Sequence, residues 1–226
     1  IDDVKAALTG MLSPILRALR KQAPAMQVEL HDASTTEMIA GLRAGRFQVA
    51  LTVQNSRTPP DGFGFEPLRE DAVVLAVAPD HPLARRRSVE VRELEAWPFA
   101  VLRRQHYPDY HELLRLTLGR VATRIRIAEE CDSGPSFITA IESGRAVAIS
   151  SVALGRAAGR RVRLLPLTPT PPSMIVGVLY RAKMLSPQAQ RLLEVARTFS
   201  EMQGAGEPRQ AGTFRFTRRP SIKAAN

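Results

Sequence analysis

The chain has 226 residues, 44% of them hydrophobic and 24% charged, with a formal net charge of +10. That balance excludes a fibrous or fully disordered protein and is enough to bury a core without disulfides or metals. No apolar run approaches the roughly 18 residues that span a bilayer. The opening Ile1-Asp2-Asp3 does not read as a secretion leader, and Cys131 has no second cysteine to pair with, so a reducing, cytoplasmic setting without membrane contact is expected.

The positive charge is uneven. Residues 203–226 carry Arg209, Arg215, Arg218, Arg219 and Lys223 against Glu207, and residues 81–127 carry ten arginines against five acids. Such segments either solvate a surface or attract anions.

In chain order, residues 6–22 predict an amphipathic helix with Leu8, Leu12, Ile15, Leu16 and Leu19 on one face, started or kinked near Pro14. Met26, Val28 and Leu30 alternate with polar residues and predict a strand. Ser34 and Glu37 have capping-box spacing. Met38, Ile39 and Leu42 follow at helical spacing, Gly45 suits the stop, and Phe47–Val53 is a buried strand. Residues 54–64 read as a loop, Val73–Ala78 as a strand, and His81-Pro82-Leu83-Ala84 with Arg85-Arg86-Arg87 as an exposed turn. A short helix after Val89, a strand at Phe99–Leu102, a helix carrying Leu113, Leu114, Leu116 and Leu118, and a strand at Arg124–Ala128 come next.

Residues 133–150 then repeat the unit at 34–51, 99 residues further on. A hydroxyl opens the helix, Phe137, Ile138 and Ile141 form its stripe, and Gly144-Arg145 precedes another apolar strand. A helix at Val152–Ala158, a strand at Val162–Leu165, a proline-rich connection, a strand at Met174–Tyr180 and a helix from Ser186-Pro187 complete the pattern. From Gln203 onward the periodicity is lost, and a disordered basic tail is expected over 203–226. Alternating strands and helices predict an α/β fold with mostly parallel sheets. The repeated unit predicts two similar lobes, with strands near 73–78 and 174–180 as the crossovers.

These stretches resemble the effector-binding domain of LysR-type transcriptional regulators. The likeness rests on Leu12-Ser13-Pro14-Ile15-Leu16 with Pro24, Glu37 through Leu51, Pro67-Leu68, Val74 through Pro79, His81-Pro82-Leu83-Ala84, Val91-Arg92-Glu93-Leu94 and Ile141-Glu142-Ser143-Gly144. They fall in the family's order over residues 10–200. The resemblance implies two Rossmann-like lobes of the periplasmic-binding-protein type II kind: lobe I from 1–74 and 175–202, lobe II from 75–174. It implies a small-molecule effector between the lobes, a homodimer or homotetramer, and DNA contact only through a helix-turn-helix that this sequence does not contain. Gln48 stands where the family usually carries an acid, and Ser150-Ser151 where a strand-ending proline is common.

Ser34, Thr35 and Thr36 gather hydroxyls and free N–H groups at one helix start, which is either an anion site or simple capping. The resemblance places effector carboxylates at the position matching Thr35, which makes a carboxylate the expected effector. Ser133 and Ser136 repeat the case in the second lobe. Arg103, Arg104 and Tyr107 fall in the loop that lines the family's cleft; a guanidinium there either pairs with a carboxylate or merely solvates the loop. Glu37 and Asp132 are expected to be used in capping. The four histidines lack metal spacing, and no cofactor motif, nucleophile elbow or paired catalytic carboxylates appear, so neither metal nor enzyme activity is expected. A transporter's solute-binding protein shares the two-lobed plan and is the alternative.

Overall fold

The computed structural model of the protein describes residues 3–55 and 58–204, with side chains from residue 11 to residue 202. The tail expected at 203–226 lies almost wholly outside the described residues; only its first two positions appear, as the end of the last helix.

The first sheet is built from β1 (Val49–Gln54), β2 (Phe63–Asp71) and β10 (Met174–Arg181), in the order β1-β10-β2, with both pairings antiparallel. Helix α1 (Asp3–Gln22) buries Met11, Ile15 and Leu19 against it, together with Leu193 and Ala196 of α6 (Pro187–Gly204). Helix α2 (Thr35–Arg43) packs on β1 and β10 through Leu42.

The chain leaves this sheet at Ala72 and enters the second through β3 (Val73–Val77), all five of whose residues are buried. β3 lies antiparallel between β7 (Ala148–Ser151) and β8 (Arg163–Leu165). Beside β7 runs β5 (Pro98–Leu102), bridged to it in parallel at Phe99 and Val147, and β5 pairs in parallel with β6 (Arg126–Cys131). Short β4 (Val89–Glu90) and β9 (Leu167–Thr168) pair at one side. Helices α3 (Pro108–Leu118), α4 (Gly134–Glu142) and α5 (Val152–Ala158) cover this sheet. Phe99, Phe137, Leu75 and Ile149 are among the residues that fill its interior.

The repeat found in the sequence is real in space. α2 and α4 are nine residues each, opened by Ser34 and Ser133 and closed beside Gly45 (φ +74°) and Gly144 (φ +76°). The left-handed backbone there is one that glycine adopts without steric cost.

Several expectations are corrected. Met26–Leu30 is not a strand: residues 26–34 are extended but pair with nothing in a ladder, and Leu30 is 63% exposed. Alternation supplies a strand's pattern, but a strand also needs a neighbour. Residues 63–64 begin β2 rather than ending a loop. The paired strands are more antiparallel than parallel, because each crossover strand runs against the βαβ units it joins. α1 passes through Pro14 as one helix, its buried face offsetting the roughly 3 kcal/mol that an interior proline costs. His81-Pro82-Leu83-Ala84 is largely buried rather than an exposed turn. His81 Nδ1 accepts a bond from the Leu83 N–H at 3.2 Å, and its ring sits edge-on to Trp97. Burial lowers its pKa, and the neutral imidazole that favours is the form that accepts this bond.

Candidate functional site

A hollow of about 1460 Å³ runs from the interior of the first lobe into the space between the lobes. Its inter-lobe part is lined by Ser34 and Thr35 from one side and by His106, Tyr107, Ser133 and Gly134 from the other. Both repeated helices open onto it, because each follows the carboxyl end of its lobe's strand segment.

On the first side, Ser34 is buried and fully engaged. Its N–H and its hydroxyl both donate to Glu37 Oε2 at 2.8 Å, and its Oγ accepts from the Glu37 N–H. The Ser34 backbone and side-chain hydrogen bonds hold the Glu37 carboxyl below the usual carboxylate range. Thr36 is engaged too, but across the cleft: its Oγ1 donates to the Gln105 carbonyl at 2.7 Å and its N–H to the His106 carbonyl at 3.2 Å. The start of α2 is thus tied to the loop that leads into α3. Thr35 lines the cleft, and its N–H is spent on neither cap nor tie.

On the second side, the Ser136 Oγ accepts from the Ser133 N–H and donates to the Ser133 carbonyl, while Ser133 Oγ accepts from the Ser136 N–H. Ser133 lines the cleft and Ser136 does not. Asp132 does not cap the helix. Its Oδ1 lies 3.0 Å from Arg103 Nε and 3.8 Å from His106 Nδ1. Arg103 therefore meets a protein carboxylate, and Arg104 is exposed and away from the lining. Tyr107 is half-buried on the cleft wall, its hydroxyl pushed up in pKa by burial and then by Glu37 and Asp132, so it is a neutral donor.

Other lining residues carried no local signal. Tyr110 donates to the Ile149 carbonyl at 3.1 Å and stacks edge-on against Phe137. Burial drives its pKa up. Ser150 is buried, and its hydroxyl has no hydrogen-bond partner. Asp71 accepts from the Ala153 N–H at the start of α5, while Ser151 caps that helix through the Leu154 N–H. Only the tertiary fold brings these residues to the cleft. Cys131 is buried, and burial raises its thiol pKa, which opposes thiolate chemistry. Among the described residues no group of three or more His, Cys, Asp or Glu could hold a metal ion, and no helix is long and apolar enough to cross a membrane.

A family profile described as the LysR substrate binding domain matches residues 4–200. The chain belongs to the LysR substrate-binding domain family. One relative is the HTH-type transcriptional regulator TtuA of Agrobacterium vitis, 26% identical over 153 residues, 66% of this chain and 49% of that protein. The chain thus spans about half the length of that relative. Among solved structures, the CcmR regulatory domain of Synechocystis PCC6803, in complex with 2-PG, superposes with a TM-score of 0.74 at 16% identity, covering 87% of this chain and 94% of that one. The effector binding domain of QuiR, in complex with shikimate, gives 0.71 at 13% identity over 85% and 91%. At these identities the likeness establishes the shared LysR-domain fold, two α/β lobes joined by crossover strands.

Proposed function

We propose that this LysR domain is the sensing part of a cytoplasmic transcriptional regulator, not an enzyme. It takes a small organic acid between its lobes, self-associates as a dimer or tetramer, and acts on DNA through a helix-turn-helix carried elsewhere in the regulator. One observation carries the reading: the N-termini of α2 and α4 open onto the same cleft from opposite lobes. Each offers roughly half a positive charge and first-turn N–H donors. The caps consume Ser34, Ser133 and Ser136, and the inter-lobe tie consumes Thr36, so Thr35, the Gly134 N–H and the neutral Tyr107 hydroxyl are the donors left for a carboxylate. Arg103 serves the site through Asp132, by offsetting a carboxylate that would otherwise repel the ligand. Arg104 acts at most by long-range attraction.

The test is calorimetric titration of the protein and of Thr35→Val with a panel of small organic acids and neutral analogues. Thr35→Val keeps the shape and removes one hydroxyl. Affinity for the best acid falls by about 1.5–3 kcal/mol, roughly tenfold to a hundredfold. A neutral best ligand, or equal affinity in the variant, would reject this site.

A further inference from the structure

The two lobes follow one plan, and one position in that plan is filled only in the second. There the chain runs β5, α3, β6, α4, β7, with β5 lying in parallel between β6 and β7. The Ala100 N–H donates to the Val147 carbonyl, and the Val147 N–H to the Pro98 carbonyl. The first lobe runs α1, the extended segment, α2, β1. The 99-residue offset that superposes Ser34 on Ser133 carries α3 onto residues 9–19 within α1, β6 onto 27–32 and β7 onto 49–52 within β1. It carries β5 onto the stretch at and ahead of Ile1, where α1 already begins at Asp3.

At the place corresponding to β5, the first lobe has a slot. β1 is laddered to β10 on one edge, and its other edge faces the hollow. The facing segment 26–34 is extended without a ladder. Leu12, Leu16, Val28, Leu51, Val53 and Leu192 line the space. Two unladdered backbone edges with apolar side chains above and below are what a central parallel strand covers.

We propose that this slot takes one further β-strand, an apolar stretch of about five residues entering ahead of α1 and lying parallel between residues 27–32 and β1. α1 then becomes the crossover helix of a βαβ unit, the role α3 plays between β5 and β6. The added strand turns 27–32 into a true strand and gives the first lobe the same five-strand order as the second. This inference does not depend on what the cleft binds, and its test needs no effector.

The experiment compares three proteins: the chain as it stands, the chain extended ahead of Ile1 by Phe-Ala-Val-Leu (the sequence of Phe99–Leu102) on a short Gly-Ser linker, and the same extension with prolines at alternate strand positions. Hydrogen exchange is followed at residues 26–32 and 49–54, alongside the thermal midpoint. The apolar extension slows exchange in both stretches by about tenfold or more and raises the midpoint by several degrees, and the proline form does neither, because it cannot donate to a ladder. Because the two extended chains are compared with each other, the result stands even if the unextended chain is only marginally folded. Equal behaviour of the two extensions overturns the proposal. So does a finding that 26–32 is already protected and loses protection when residues 205–226 are deleted, which would make the tail the occupant.

Discussion

The second lobe closes around its own residues, and the first does not. In the second, β3, β5 and β7 are flanked on both edges, and Leu75, Phe99, Val147 and Ile149 are fully removed from water. In the first, β1 has a single ladder partner, and Val49, Leu51 and Val53 are only half-buried although the sequence around them is as apolar as that of β7. The same helix–glycine–arginine–strand unit produced both. Local chemistry therefore decides that the helix and strand form. What lies on the strand's other edge decides whether its side chains become core, and that is a property of the sheet rather than of the unit.

The comparison is broken most directly by truncating equivalent positions. Phe99→Ala removes a ring with no exposed surface from the centre of the second lobe, and such changes cost about 3–5 kcal/mol. Leu51→Ala in the first lobe removes a side chain that already borders the hollow. It leaves little new cavity, so its cost is near the low end for such a truncation, about 2 kcal/mol or less. Urea unfolding of both variants measures the difference, and equal losses would mean that the first lobe is as tightly closed as the second. If the slot takes a strand, the cost of Leu51→Ala rises towards that of Phe99→Ala in the strand-extended chain.

The helix starts give a smaller and sharper contrast. Ser34→Ala and Ser133→Ala each remove an N-cap, a loss of about 0.5–2 kcal/mol. Ser34 is buried and shares both its N–H and its hydroxyl with a charged carboxylate, whereas Ser133 is capped by another hydroxyl in solvent. Charge-assisted bonds are the stronger kind, so Ser34→Ala lies at the upper end of that range and Ser133→Ala at the lower. Thermal unfolding of the pair would show it, and the reverse order would refute the account. Between them sits Thr36→Val, which removes the 2.7 Å bond to the Gln105 carbonyl while leaving the cap intact. A hydrogen bond of this kind is worth about 1 kcal/mol. Faster exchange of the loop at 103–107, with little change elsewhere, is the expected reading.

What the sequence revealed divides along the same line. Caps, glycine stops and apolar stripes act within four residues, so α2, α4, α5 and the strands β3, β7 and β10 were readable. β2 was obscured because Glu66, Arg69, Glu70 and Asp71 make it look like a loop; it is a strand because β10 lies beside it. Residues 26–30 show the opposite error, a strand's alternation without the neighbour that makes it one. In the cleft, Ser34, Thr35 and Ser133 could be placed from their helices. The use of Arg103 by Asp132, 29 residues away, and of Thr36 by a carbonyl 69 residues away could not, because neither partner carries a local signal.

The smallest effect expected is on pH dependence, and it separates the two caps by chemistry. Glu37 has its pKa lowered first by the Ser34 backbone bond, then by the Ser34 hydroxyl, with His106 and Arg46 adding attraction. A carboxyl whose folded pKa lies below its unfolded value contributes stability that is fully present above the unfolded value. That contribution is lost as pH falls through the folded one. The first lobe's cap therefore weakens on acidification, from the ordinary glutamate range of about 4.3 downward, while the Ser133–Ser136 cap, with no ionisable member, does not. Glu37 is well exposed, so solvent screens the charge and the effect is modest. Glu37→Gln keeps an acceptor but cannot titrate. Stability measured by urea unfolding across the acid limb should fall less steeply in Glu37→Gln than in the parent, whereas Ser136→Ala should leave the steepness unchanged. Parallel acid limbs for Glu37→Gln and the parent would mean that the carboxylate is not held at the cap in solution.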